Sequence, residues 1–399
     1  MPHTTSTTTR PPIVAIMGHI DHGKSTLLDY IRKTQVVAGE AGGITQHLSA
    51  YEITIPYQGS KGTEQRSITF LDTPGHAAFT GMRERGAVAA DIAILVVSAE
   101  DGVKAQTIEA LNTIRAAKIP FIVAINKIDR PGANIERTKL TLAEQEVLVE
   151  GFGGTTPVVA VSALQGTGVP ELLETILLVA DLEGLTADPS KTATGLVIES
   201  HLDQKRGIAA TIIVKDGTLK KGQFVVAGIA LTTTRIMEDF RGKTIETAGP
   251  STPVQLVGFD ELPGVGTEIK VFEKKRDAED FVCQYRIECA RDRGNDADRS
   301  GDADEKVVPI IVKTDVFGTE EAIEKEFSKI AVEGLRLKLI AKGIGPISEN
   351  DIRMAQSDKD TIIIGFNVGM DARAKLANET VGANVQLFDV IYRLIEWLT

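Results

Sequence analysis

Residues Ile13-Val14-Ala15-Ile16-Met17-Gly18-His19-Ile20-Asp21-His22-Gly23-Lys24-Ser25-Thr26 set the pattern G-x-x-x-x-G-K-[ST] directly behind an apolar run. Five consecutive apolar residues ahead of a glycine read as a buried strand, and residues 25–32 read as the helix that follows. Glycines at 18 and 23 let the backbone curl until successive N–H groups point at phosphate oxygens, and the helix N-terminus adds to that attraction. In such a loop Lys24 reaches the β/γ-phosphates and the Ser25 hydroxyl ligates Mg²⁺. The expected phosphate contacts are Gly18, His19, Ile20, Asp21, His22, Gly23, Lys24, Ser25 and Thr26. On this reading the chain binds a nucleotide.

Working outward, residues 11–184 alternate helical stretches with strands at 13–17, 67–71, 92–97, 121–125 and 158–161. This predicts a mostly parallel sheet covered on both faces, with ligands at the carboxyl ends of its strands. Over 190–275 the pattern shortens to strands at 194–200, 208–215, 223–227, 231–237, 253–259 and 268–272. Asp216-Gly217, Lys221-Gly222 and Pro263-Gly264 punctuate them, which predicts a β-barrel. A helix over 278–290 and a charged, glycine-containing linker fill 276–306. The β/α alternation returns over 307–399, with strands at 307–312, 335–341 and 361–366 and helices at 319–330, 348–356 and 390–398. The fold class is therefore multidomain, α/β plus β: a P-loop domain, a β-barrel and a smaller α/β/α domain. Gly343-Ile344-Gly345 fails the dinucleotide fingerprint because the third glycine falls on Ser348 and Pro346 intrudes. The last domain is expected to be mechanical or docking.

The 399 residues are 42% hydrophobic and 25% charged, an ordinary globular balance. A net charge of −11 gives no support to generic nucleic-acid or membrane adhesion. Cys283 and Cys289 lack partners at metal spacing, so reduced thiols and a cytoplasmic setting are expected. No apolar run approaches the ~20 residues of a bilayer span, and Asp91 interrupts the richest one, 88–99. The Thr-rich residues 1–10 are expected to be a disordered leader.

Asp72-Thr73-Pro74-Gly75-His76 follows the second strand. Asp72 is placed to hold Mg²⁺ through water and Gly75 to offer its N–H to a γ-phosphate, and Asp72, Thr73, Pro74 and Gly75 are all expected phosphate contacts. Loss of the γ-phosphate would release residues 77–86, making them a switch. Thr45, in Gly42-Gly43-Ile44-Thr45-Gln46, is placed to complete the Mg²⁺ shell. Asn126-Lys127-Ile128-Asp129 follows the fourth strand, where the Asp129 carboxylate can accept from N1–H and the 2-amino group of guanine. The N–H groups of Ser162-Ala163-Leu164 can donate to guanine O6. Adenine would leave these groups unpaired, so the order 24, 45, 72, 126, 162 selects GTP over ATP. His76 is the candidate for orienting the attacking water. Arg83 and Arg85 are expected on a solvated or docking face.

The histidines inside the phosphate loop, with Asp72-Thr73-Pro74-Gly75-His76, resemble the translational GTPases. Residues 39–47 and 76–87, Gly343-Ile344-Gly345-Pro346-Ile347-Ser348-Glu349-Asn350-Asp351 and Ile364-Gly365-Phe366-Asn367-Val368 resemble the bacterial translation initiation factor 2 family over residues 11–399. The resemblance implies a GTPase (GTP to GDP and phosphate) acting on the ribosome, through ribosomal RNA of both subunits, to promote initiation-complex formation and subunit joining. It implies that His76 positions water when ribosomal RNA activates the enzyme. Asp21 would help hold a monovalent cation (K⁺ or Na⁺), and Ile20 and Ile44 would form an apolar gate restraining His76. A monomer without membrane contact is expected. Initiator tRNA would be bound only by domains beyond residue 399, so the chain is expected to be a fragment. The alternatives are a tRNA-carrying elongation factor type and a nucleotide-gated ribosome-docking module with little turnover.

Overall fold

The computed structural model describes residues 7–33, 45–59, 62–292, 306–329, 335–356, 358 and 360–398. A six-stranded sheet carries the phosphate loop, in the order Ser49–Gly59, Gly62–Asp72, Ile13–Gly18, Ile92–Ser98, Phe121–Asn126 and Val158–Ala160. All neighbours pair in parallel except the first two strands, which are antiparallel. Strand Ile13–Gly18 is buried along its whole length. Its alternate residues feed two different cores, Ile13, Ala15 and Met17 on one face and Val14 and Ile16 on the other. That double burial is why the strand reads as an unbroken apolar run.

The edge strand Ser49–Gly59 is absent from the sequence expectation, although Tyr51, Ile53, Ile55 and Tyr57 all face one core. Pro56 hides this alternation, and it is tolerated because the strand is at the edge.

Over Thr194–Phe272 seven antiparallel strands curl into a half-barrel. The edge strand Ala230–Thr233 returns to Asp260, with Asp260 N–H donating to Leu231 O at 3.0 Å. The strand expected at 231–237 is split into Ala230–Thr233 and Met237–Glu238. Helix Lys275–Asp292 follows, and most of the expected linker, 293–305, lies outside the described residues.

The last domain is a four-stranded parallel sheet in the order Leu335–Ile344, Lys306–Thr314, Ile362–Phe366, Asn384–Phe388. Helix Ala372–Val381 and strand Asn384–Phe388 were not expected from the sequence. The helix is nonetheless marked at both ends: Asp371 accepts from Ala374 N–H at 2.6 Å, and Gly382 stops it with φ of 67°. Gly345, from the failed fingerprint, instead allows close approach to Leu202 of the half-barrel, whose side chain would lie 2.8 Å from an added Cβ.

Apolar, ionic and hydrogen-bonded contacts join the domains. Phe79 and Met82 of the first domain sit in one core with Ile310, Ile323, Phe366 and Leu394 of the third. Arg85 pairs with Glu321 at 2.5 Å. Glu199 of the half-barrel is buried and accepts weakly from Gly318 N–H at 3.4 Å; burial pushes its carboxyl up to about 7.

Part of the expected leader is paired in a strand. Thr8 and Thr9 pair with Ala187 and Thr186, while residues 1–6 lie outside the described residues. Arg10 then makes a two-pronged pair with Asp91, both contacts 2.6 Å, and reaches Ser251 Oγ at 3.1 Å. Asp91 also accepts from Ile13 N–H at 2.9 Å and lies 3.7 Å from Lys215 of the half-barrel. The acid that interrupts the apolar run 88–99 is thus the counter-charge for two half-buried cations. Asp91→Ala strands both, and breaking such a pair costs about 3–5 kcal/mol. The expected result is a lower denaturation midpoint for the first two domains, with Asp91→Asn intermediate; an unchanged midpoint would refute the assignment.

Candidate functional site

The phosphate loop starts where the Ile13–Gly18 strand ends. Gly18 has φ of 142°, and an added Cβ would strike the Val96 carbonyl of the next strand. A one-turn helix Ile20–His22 leads to Gly23, at φ 83°, and then to helix Lys24–Arg32. Lys24 folds back into the loop, donating to Gly18 O at 2.9 Å and His19 O at 2.7 Å. Burial pushes its ammonium down to about 8, against the pull of Asp72. The cation is held in low dielectric facing backbone carbonyls, the arrangement in which an arriving anion gains most.

His22 is fully buried with Nδ1 3.3 Å from Val96 O, and burial holds its pKa near 4. Its ring packs edge-on against His19 at 5.0 Å between centroids. The neutral ring supports the loop, and the His22 backbone N–H donates to His19 O at 3.3 Å. Asp21 and Thr26 are exposed. Gln106, absent from the sequence reading, braces the loop by accepting from Ile20 N–H at 3.2 Å. Nothing in its helix pattern marks it.

Ser25 Oγ and Thr45 Oγ1 lie 2.8 Å apart, bringing together two residues 20 positions apart. Asp72, 5% exposed, stands 3.8 Å from Arg32 Nη2. Ile44 lies outside the described residues. Gly75 packs so closely that an added Cβ would lie 2.5 Å from Lys24 Nζ and 3.0 Å from Ile20. The loop between Asp72 and His76 is held from behind. Thr73 Oγ1 donates to Ile16 O at 2.6 Å, so its side chain is structural rather than a phosphate ligand.

Arg83 is 1% exposed, contrary to the expected solvated face. Its guanidinium donates to the carbonyls of Pro74 and His76, to Thr80 Oγ1 at 3.1 Å and to Glu109 at 2.9 Å. Committed to these partners, Arg83 shapes the turn. Arg85 does dock, on Glu321.

His76 Nδ1 accepts from Ala78 N–H at 2.8 Å, which places the proton of the neutral ring on Nε2. Burial, aided by Arg83 and Lys329, holds its pKa below the ordinary value against the pull of Glu326. The ring packs on Tyr392 with centroids 4.2 Å apart.

At the far end, Asn126 is 1% exposed, with its amide donating to His22 O at 2.9 Å and accepting from Ala163 N–H at 3.0 Å. It ties the phosphate loop to the 162–164 loop. Ser162 N–H donates to Thr167 O at 2.9 Å. Of the three expected O6 donors, Ser162 and Ala163 are thus already paired, leaving Leu164 N–H without a protein partner among the described residues. Asp129 is half-buried, and Ser162 Oγ donates to it at 2.7 Å, holding its carboxyl below the usual range. Lys127 turns the loop with φ of 63°, and Ile128 N–H reaches Val161 O at 3.4 Å.

Family models match in three consecutive pieces. Residues 9–181 match the elongation factor Tu GTP binding domain, 192–272 match elongation factor G domain 2, and 290–399 match translation-initiation factor 2. Translation initiation factor IF-2 of Lysinibacillus sphaericus is 46% identical over 97% of this chain and 51% of its own length. That of Bacillus subtilis is 46% identical over 97% and 54%. The chain therefore spans about half the length of these curated relatives. Among solved structures, GDP-bound aIF5B from Aeropyrum pernix aligns with a TM-score of 0.55 at 27% identity, covering 98% of this chain and 74% of that one. At 46% identity across nearly every one of its residues, in a fold that carries the loops described above, this chain is similar to about half of each of these translation initiation factor IF-2 relatives.

Proposed function

We propose that this chain binds GTP and hydrolyses it to GDP and phosphate on the ribosome, as the motor portion of a cytoplasmic initiation factor that promotes initiation-complex formation and subunit joining. The observation that carries the reading is the convergence of Lys24, Ser25, Thr45 and Gly75 on one point at the carboxyl ends of the central strands. Lys24 is assigned the β/γ-phosphates, and the N–H of Gly75, which packs closely on Lys24 Nζ, is assigned the γ-phosphate. The 2.8 Å between Ser25 Oγ and Thr45 Oγ1 suits two neighbouring oxygen ligands of an octahedral Mg²⁺, whose cis edge is about 2.9 Å for bonds of 2.0–2.1 Å. When bound there, Mg²⁺ would neutralise developing phosphate charge. Asp72 is assigned to it through water, and exposed Asp21 to a monovalent cation.

Guanine is assigned to Asp129 and the Leu164 N–H, with Asn126 and Ser162 holding both loops in place. His76 is assigned the attacking water. Its Nδ1 is engaged by Ala78 N–H, so the ring must turn out of this bond before that nitrogen can accept from water. A ring that needs outside help to align fits a GTPase activated in trans, help worth about 10³–10⁵ in rate for related enzymes.

Ribosomes should stimulate steady-state GTP hydrolysis, and His76→Ala should reduce the stimulated rate by on the order of 10²–10³-fold with GTP affinity nearly intact. Hydrolysis that ribosomes leave unchanged would favour the low-turnover docking module instead. Asp129→Asn should move preference from guanine toward xanthine nucleotides in competition binding; retained GTP selectivity would displace the base site.

Lys24 gives a pH signature. Its free pKa near 8 must rise when phosphate arrives, so binding takes up a proton wherever Lys24 is neutral. Affinity for GDP should be flat below pH 7 and fall above pH 8, by at most about tenfold per unit. Calorimetry at pH 8.5 in buffers of different ionisation enthalpy should register proton uptake; none would contradict the assignment.

A further inference from the structure

The last helix, Ile391–Leu398, begins against both loops that flank the phosphate site. Gln46, next to Thr45 and 4% exposed, spans its first turn. The Gln46 amide donates to Asp389 O at 2.9 Å and accepts from Ile391 N–H at 3.3 Å. One residue further, the Tyr392 ring lies 4.2 Å from the His76 ring at an interplanar angle of 58°. Tyr392 also feels the charge of Asp21, which brings the same side chain near the phosphate loop. Ile391 and Leu394 anchor the helix in the core that contains Phe79 and Met82. A single helical turn thus touches the Thr45 segment, the His76 segment and the neighbourhood of Asp21.

We propose that this turn is a latch on the hydrolytic residue: Tyr392 holds the His76 imidazole turned back toward Ala78, and Gln46 fastens the latch to the segment carrying Thr45. Tyr392 is a positioning residue in this scheme, acting through His76 and touching no reacting atom. Lifting the helix removes the packing that favours the turned-back ring, and Nδ1 is then freed at the cost of one hydrogen bond. The inference rests on the assignment of His76 as the residue that aligns water.

The test uses the full chain with Tyr392→Leu, which keeps apolar packing while removing the ring, and Tyr392→Phe, which keeps the ring while removing the hydroxyl. In single-turnover assays without ribosomes, Tyr392→Leu should hydrolyse GTP about fivefold faster, the equivalent of about 1 kcal/mol, with affinity for GTP within twofold of the parent. Tyr392→Phe should match the parent. Long-range ¹H–¹⁵N spectra should find parental His76 as the Nε2–H form, and its pKa should move toward the ordinary value in Tyr392→Leu. Unchanged or slower basal hydrolysis in a folded Tyr392→Leu chain overturns the latch, as does an Nδ1–H form in the parent. If the parent hydrolyses no GTP with or without ribosomes, the functional reading fails, while the spectra still decide whether Tyr392 holds the ring.

Discussion

Ala78, Phe79 and Met82 are each 1% exposed, and the surface that covers them belongs in large part to another domain. Fully burying a phenylalanine or methionine is worth about 1.5–3 kcal/mol, so these two side chains alone set a cost of roughly 3–6 kcal/mol on pulling the segment away. The residues after Gly75 therefore have two masters. Their start is positioned by Lys24 and Ile20, and their helix is positioned by the third domain. A displacement of either end must be accommodated by the other, because packed interfaces shift between discrete arrangements and do not stretch. The third domain is in this sense a continuation of the nucleotide site.

The chain resolves its electrostatic problems locally around that junction. Arg83 is buried yet surrounded by acceptors from its own turn and by Glu109. Asp91 serves Arg10 and Lys215 together. Lys24 has carbonyls and the distant charge of Asp72, an incomplete solution that leaves its ammonium easier to deprotonate. A buried cation shifted in this way fits the phosphate role proposed for it, consistent with perturbed groups gathering at working sites.

What could be read from the sequence followed how local the signal was. The Ile13–Gly18 strand and the loop after it are specified by contiguous residues, so both were legible. The Ser49–Gly59 strand carried a clean alternation but was broken by Pro56 and sat beyond a glycine-rich stretch. Helix Ala372–Val381 had a cap and a stop, but its apolar face is mostly alanine, too faint for a period argument. Site residues divided the same way. Lys24 and Ser25 were legible because a motif encodes them. Gln106 and the bracing role of Arg83 were not, because each depends on a partner brought close only by folding. Asn126 was legible as important, but its bonds to His22 and Ala163 were not, since a tetrapeptide does not say which loops an amide will meet.

That amide has a mechanical consequence. By bonding His22 O on one side and Ala163 N–H on the other, Asn126 makes the phosphate grip and the base-reading loop parts of one rigid piece. A substitution there degrades both at once. Asp129 and Leu164 stand outside this bracket, more exposed and less entangled. A change at Asp129 or Leu164 therefore disturbs one loop at a time, whereas a change at Asn126 disturbs two.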